Sequence, residues 1–231
     1  MYKGTWASMK GDEVYRILES SLVDDWREYV ALVAKRRSRS PFSVLVGVVL
    51  SQNTNDKNSI RAFNELASRV GVDIDDILKA DIRDIEESIR IAGMWRQKAR
   101  TIVKLARHIK DLGGEDFLVK EKPDIVREKL LEVKGVGPKT VDVFLSVVRK
   151  APYFAVDTHA ARIARRWGLV GEKASYDEIS KALLRFFGPE RAEKAHRLLI
   201  ALGRRYCTSK NPRCDKCPLR DICPYARAHL Q

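Results

Sequence analysis

Four cysteines lie between positions 207 and 223 of this 231-residue chain, spaced C-x6-C-x2-C-x5-C at Cys207, Cys214, Cys217 and Cys223. In a reducing compartment so tight a group points to metal before disulfides. Zinc and a [4Fe–4S] cluster each accept four thiolates, so ligand chemistry alone leaves both open. The spacing separates them better. Structural zinc sites usually show two close pairs, whereas here one close pair is flanked by wider gaps. Lys210, Arg213, Lys216 and Arg220 surround the cysteines, as in a loop presented to phosphate.

A second constellation is Val133-Lys134-Gly135-Val136-Gly137-Pro138-Lys139, where one helical pattern ends and the next begins. Gly135 and Gly137 permit backbone angles and close approaches that a side chain would forbid, and Pro138 suits the first turn of a helix. Amides exposed at that helix start can bind a phosphate oxygen, which makes a sequence-independent anchor for a nucleic-acid backbone. An ordinary tight turn would use the same residues. Lys139 falls where the helix dipole favours anions, and a misplaced charge is a candidate for function. From spacing alone, a nucleophilic amine and a phosphate-contacting lysine stand level. Along the following helix Val141, Phe144, Leu145 and Val148 form the apolar stripe, with Lys139, Asp142, Ser146 and Arg149 placed on other faces. Asp142, one turn beyond Lys139, is expected to favour the protonated lysine.

Three further phrases carry polar groups at helix ends. Val156-Asp157-Thr158-His159 precedes a basic helix; Asp157 suits the N-cap, worth about 1 kcal/mol, and His159 reads as packing or DNA contact. Leu50-Ser51-Gln52-Asn53-Thr54-Asn55-Asp56 closes an apolar helix in amides, with Asn55 or Asp56 capping its successor. Gly93-Met94-Trp95-Arg96-Gln97-Lys98-Ala99 opens another helix, and core packing is the default reading of its Met94 and Trp95.

Together these phrases resemble the endonuclease III family of helix-hairpin-helix, iron–sulfur DNA glycosylases. Val133 to Lys139 matches the family's leucine-x-Gly-Val-Gly-x-Lys core apart from valine for leucine. The Val-Asp-Thr-His phrase resembles the second half of the signature, and the cysteines match the cluster loop at all four positions. The resemblance spans residues 38–224 and implies a [4Fe–4S] cluster of structural role. It also implies Lys139 as the nucleophile of a bifunctional enzyme and Asp157 as its catalytic carboxylate. DNA contacts implied are the hairpin at Gly135, Val136 and Gly137, and the cations of the cysteine loop. Gln52 or Asn53 would fill the gap left by the extruded base, Asn53 aligning without a gap. Met94 would be an apolar wedge that offsets part of the few kcal/mol of unstacking. The implied substrate is double-stranded DNA with damaged bases, oxidised pyrimidines by default, or abasic sites, cleaved on the 3′ side by β-elimination. A monofunctional G/T or G/U mismatch glycosylase, which usually lacks the lysine, and a non-catalytic iron–sulfur DNA-binding protein stay open as alternatives.

The elements that must position these residues are helical. Apolar residues recur at three and four positions rather than alternating, which predicts an all-α protein. Helices are expected at 12–21, 24–36, 41–51, 55–69, 81–91, 95–112, 122–132, 138–149, 158–167, 175–186 and 189–205. The helix-hairpin-helix occupies about 122–149. The family fold implies two helical domains flanking a DNA-binding cleft. One is a six-helix barrel over 38–150, and the other is a cluster domain assembled from 1–37 and 151–231.

With 44 Lys+Arg against 31 Asp+Glu the formal charge is +13, which implies an anionic partner but does not choose among nucleic acid, acidic membrane and acidic protein. Residues 1–13 carry no apolar stretch like that of a secretory signal. The longest apolar run, Val44 to Leu50, is far below the ~20 residues needed to span a bilayer. The expectation is therefore a protein that is neither secreted nor membrane-bound, cytoplasmic at the nucleoid or nuclear. A monomer suffices for the implied chemistry.

Overall fold

The computed structural model describes residues 9–230, so the signal-free reading of the amino end lies, for residues 1–8, outside the described residues. Every regular element among the described residues is helical. In chain order they are α1 (Gly11–Ser21), α2 (Val30–Arg37), α3 (Phe42–Ser51), α4 (Asp56–Arg69), α5 (Ile74–Lys79), α6 (Ile82–Ser88) and α7 (Trp95–Asp111). There follow α8 (Glu115–Lys120), α9 (Pro123–Leu131), α10 (Pro138–Arg149), α11 (Thr158–Arg166), α12 (Tyr176–Phe187), α13 (Ala192–Arg205) and α14 (Pro224–His229). Short 3-10 turns join some of them.

The chain divides into two compact units, Asp25–Ala151 and the combination of Met1–Asp24 with Pro152–Gln231. The internal unit is organised on α3, whose residues Phe42 to Leu50 are all buried. A helix apolar all round has no solvent face and must be surrounded, and α2, α4, α7 and α10 pack on it. Residues 25–37, grouped from sequence with the termini, belong to this unit. Val30, Ala31 and Ala34 of α2 are buried, and α3 approaches so closely that a Cβ on Gly47 would lie 3.3 Å from that of Ala34.

The terminal unit has its own core, formed by Val14 and Leu18 of α1, Ile163 and Trp167 around α11, Leu183 and Phe187 of α12, and Leu198, Leu199 and Leu202 of α13. Ion pairs Lys194–Glu19 and Arg197–Asp24 bind the amino-terminal segment to α13.

Three expected helices are shorter than their patterns; the 189–205 span begins as a 3-10 turn, Pro189–Arg191, before α13. The 24–36 span breaks because the Asp25 carboxylate accepts from Arg27 N, which closes a 3-10 turn at Trp26–Glu28 before α2 begins. The 81–91 span ends at Ser88 and continues as a 3-10 turn, Arg90–Ala92. The helices α5, α8 and α14 had no counterpart in the sequence reading. Each is six residues long, too short for a 3.6-residue period to repeat.

Candidate active site and cysteine loop

The hairpin joins α9 to α10 through a turn anchored by buried Val133 and Val136. Gly135 has φ +101°, and a Cβ there would meet Thr101 Oγ1 of α7 at 2.5 Å, so both backbone and packing demand glycine. Gly137 differs: its φ is −107°, and a Cβ would have nothing within 4 Å. Gln52, at the end of α3, donates from Nε2 to Gly135 O at 3.2 Å and to Thr140 Oγ1 at 3.1 Å. Lys139, the second residue of α10, is exposed beside this turn.

Asp142 is not a surface neighbour of Lys139. Its carboxylate is fully buried, and Arg127 Nε of α9 donates to it at 2.7 Å. The expected influence on the lysine is replaced by a brace between the two helices of the hairpin. Ser146 is buried as well, its hydroxyl donating to Val143 O. The polar faces assigned to these two residues are therefore interior, because α10 packs against α2, α3 and α9.

Asn53 and Met94 stand together. Both have left-handed backbone, φ 50° and 47°, a region uncommon for residues other than glycine and unusual for methionine. Both are exposed, and Asn53 Nδ2 lies 4.0 Å from Met94 Sδ. Asn55 takes the cap of α4, accepting from Asn58 N. Beneath the two loops sits Lys98, 3% exposed. Its ammonium donates to Leu50 O at 2.9 Å, Thr54 Oγ1 at 2.9 Å and Ala92 O at 2.8 Å. Burial holds its pKa down to about 8. In the sequence Lys98 stands only as part of the Gly93–Ala99 phrase. The signal was its place at the head of the buried stripe Lys98, Ile102, Leu105, Ile109 of α7.

In the terminal unit, Asp157 is the N-cap of α11, Oδ1 accepting from Ala160 N at 2.8 Å. It is only half-buried. His159 is a packing residue: α13 passes so close that a Cβ on Gly203 would fall 2.4 Å from His159 Nδ1. The same helix holds the cysteine loop. Arg162 Nε donates to Cys207 O at 2.9 Å. Arg166 donates to Thr208 O at 2.7 Å, Ser209 O at 3.0 Å and Cys207 Sγ at 3.1 Å.

The four cysteines line one small cavity with Trp167, Leu202, Leu219 and Ala226. Burial raises the thiols of Cys214 and Cys223 and pushes Cys217 up to about 11. Lys210, Arg213, Lys216 and Arg220 are exposed around the loop, with Arg220 paired to Asp221 at 3.1 Å.

Endonuclease III of Sulfolobus acidocaldarius is 35% identical over 93% of this chain and 95% of its own length. The chain belongs to the endonuclease III family. Residues 46–189 match the HhH-GPD superfamily base excision DNA repair proteins, and residues 207–223 match the iron–sulfur binding domain of endonuclease III. Endonuclease III of Bacillus subtilis is 34% identical, over 80% of the chain and 81% of that protein. A solved non-covalent endonuclease III–DNA complex aligns with TM-score 0.75 and 27% identity, covering 96% of this chain and 99% of that one.

The endonuclease III cofactor is a [4Fe–4S] cluster, and the loop fits it. The four thiols line one cavity closed by Trp167, Leu202, Leu219 and Ala226, and that apolar wall would keep water from a cluster held there.

Proposed function

We propose that this member of the endonuclease III family excises oxidised pyrimidines from double-stranded DNA through Lys139 and then cuts the strand 3′ to the abasic site. The observation that carries the reading is an exposed lysine on a hairpin that the rest of its unit holds rigid. A nucleophile needs access, and it needs a fixed position relative to its target.

The target nucleotide leaves the stack, and Lys139 Nζ attacks the sugar C1′. The N–C1′ bond forms as the glycosidic bond breaks, and the base departs with its electron pair and takes up a proton. Asp157 serves as the carboxylate that relieves the amine of its proton and steadies the positive charge growing on the sugar. Opening of the sugar ring leaves a Schiff base. Loss of a C2′ proton then expels the 3′ phosphate oxygen, so one strand ends in an unsaturated sugar and the other piece in a 5′ phosphate.

Three features support a DNA-binding role for the remaining site residues. Gly137, the N-cap of α10, has open space where a Cβ would stand, in keeping with a phosphate approaching the amides of Gly135, Val136 and Gly137. Gln52 is engaged with the hairpin while Asn53 projects to solvent, which makes Asn53 the amide that fills the vacated space and Met94 the wedge beside it. Lys210, Arg213, Lys216 and Arg220 supply charge to the duplex backbone around the cluster. The barrel and the cluster domain of the family then correspond to the two units, with residues 25–37 in the barrel unit, the protein acts as a monomer, and it works at the nucleoid or in the nucleus.

Sodium borohydride reduction tests the chemistry. Duplexes carrying thymine glycol, uracil opposite guanine, or an abasic site are mixed with the wild type and Lys139→Ala. A covalent adduct on thymine glycol that vanishes in the variant is the expected result. Base release without an adduct would mean a monofunctional glycosylase, and neither product would mean a protein that only binds DNA.

A further inference from the structure

Lys98 is buried, yet all three of its N–H groups go to uncharged oxygens rather than to a carboxylate. Those oxygens come from the two segments that carry the exposed pair. Leu50 O, at the end of α3, and Thr54 Oγ1 flank Gln52 and Asn53, while Ala92 O closes the 3-10 turn before Gly93 and Met94. The Thr54 hydroxyl also donates to Ala92 O, so Lys98, Thr54 and Ala92 form one knot. An ammonium suits the place, since carbonyls at helix ends are the negative poles of their dipoles. Its stem rises from α7, so three elements are tied at one point.

The knot lies directly under two left-handed backbones. Such conformations persist only where surrounding structure over-determines them. A preorganised pair also loses less freedom on entering DNA than a mobile one.

We infer that Lys98 is a positioning residue for base extrusion: by tying the end of α3 and Thr54 to the Ala92 turn, it holds Asn53 and Met94 side by side, so that wedge and filling amide enter the duplex as one body. This rests on the reading of Asn53 and Met94 as the inserting residues.

The test uses the full chain with its cluster and a duplex holding a tetrahydrofuran abasic analogue opposite 2-aminopurine, whose fluorescence rises as its neighbours unstack. Wild type, Asn53→Ala, Met94→Ala, Lys98→Met, Thr54→Val and Thr54→Ser are compared at saturating protein. The expected result is a rise with wild type, lost in Lys98→Met and Thr54→Val and recovered in Thr54→Ser, which keeps the hydroxyl. Single-turnover base release by Thr54→Val falls on the order of 100-fold, as for a misplacement of about 1 Å.

The Thr54 pair carries the test should Lys98→Met fail to fold. A full rise with Thr54→Val, or no recovery with Thr54→Ser, overturns the role of the knot while leaving the inserting pair intact. A wild-type rise that Asn53→Ala and Met94→Ala do not diminish removes the inserting pair itself, and the role of Lys98 with it.

Discussion

The loops of Asn53 and Met94 and the cysteine loop both bury groups that water would otherwise solvate, and they complete that burial by opposite means. In the internal unit the buried charged groups find their partners within the chain. Lys98 is satisfied by three oxygens of its own unit, Gln52 closes onto the hairpin, and Arg127 neutralises Asp142. In the cysteine loop the arginines of α11 hold backbone carbonyls and one sulfur, but burial still pushes three thiols towards their protonated forms. Residues 207–223 match the iron–sulfur binding domain of endonuclease III, so this loop is completed by a cluster, whose binding needs the thiolate forms. The loops of Asn53 and Met94 are held by partners within the chain, and the cysteine loop is shaped conditionally.

The largest effect that would break this contrast comes from removing the metal. Chelation of iron, or Cys217→Ser, should cost the terminal unit at least about 4 kcal/mol, the stabilisation from a ligand held at a thousand times its dissociation constant. Hydrogen exchange locates the loss: amides of 207–223 should become unprotected while those of α3, α7 and α10 keep their protection. Equal deprotection in both units would show that the internal unit is not self-sufficient.

Next in size is the buried ion pair of the hairpin. Asp142→Asn removes the buried carboxylate that Arg127 meets and should destabilise the internal unit by about 3–5 kcal/mol in urea unfolding. Arg127→Met with Asp142→Leu should recover most of it. A cost below about 1 kcal/mol for Asp142→Asn would mean that the brace contributes nothing to the hairpin's rigidity.

Asp142 also shows where sequence reading stops. The helix, its Pro138 start and the glycine turn were legible because each is a local preference, as were the caps at Asn55 and Asp157 and the four cysteine ligands. Whether a polar residue on a helix faces water depends on how many neighbours the helix has, and α10 has them on more than one side. Arg127, fifteen positions earlier, is the partner that makes the burial tolerable, and no local pattern joins the two. Lys98 was nearer to legible. A lysine on the apolar stripe of α7 announces burial, although the oxygens that receive it come from Leu50, Thr54 and Ala92 and only the fold assembles them.

The Lys98 amine sharpens the contrast through pH. Desolvation lowers it from 10.5 to about 8, so between those values the unfolded chain binds more protons than the folded one and stability rises with pH. The cost of burying the charge is present in full below about pH 8 and is relieved towards 10.5. At about 1.4 kcal/mol per pKa unit it amounts to about 3 kcal/mol. The unfolding free energy of wild type minus that of Lys98→Met should therefore climb between pH 8 and 10.5, just where the three-fold tie to Leu50, Thr54 and Ala92 loses a donor. Stability and base extrusion would then move in opposite directions with pH. A flat difference across that range would show that the amine is solvated and that the loops above it are not held by a buried charge.

The smallest effect on stability is the most discriminating. Gly135 and Gly137 are two residues apart, but only the first is required by the fold. Gly135→Ala meets Thr101 and forces φ +101° on a residue with a side chain, a cost of about 1–3 kcal/mol. Gly137 has φ −107° and open space but is the N-cap of α10, so alanine there meets no clash and the poorer cap should cost no more than about 1 kcal/mol. If the hairpin is shaped ahead of its ligand, a larger effect at Gly137 must come from that ligand. Gly137→Ala should then weaken binding to an abasic-analogue duplex by more than its small loss of stability accounts for. Unchanged DNA affinity would return the glycine to the ordinary tight turn and leave Lys139 without its phosphate anchor.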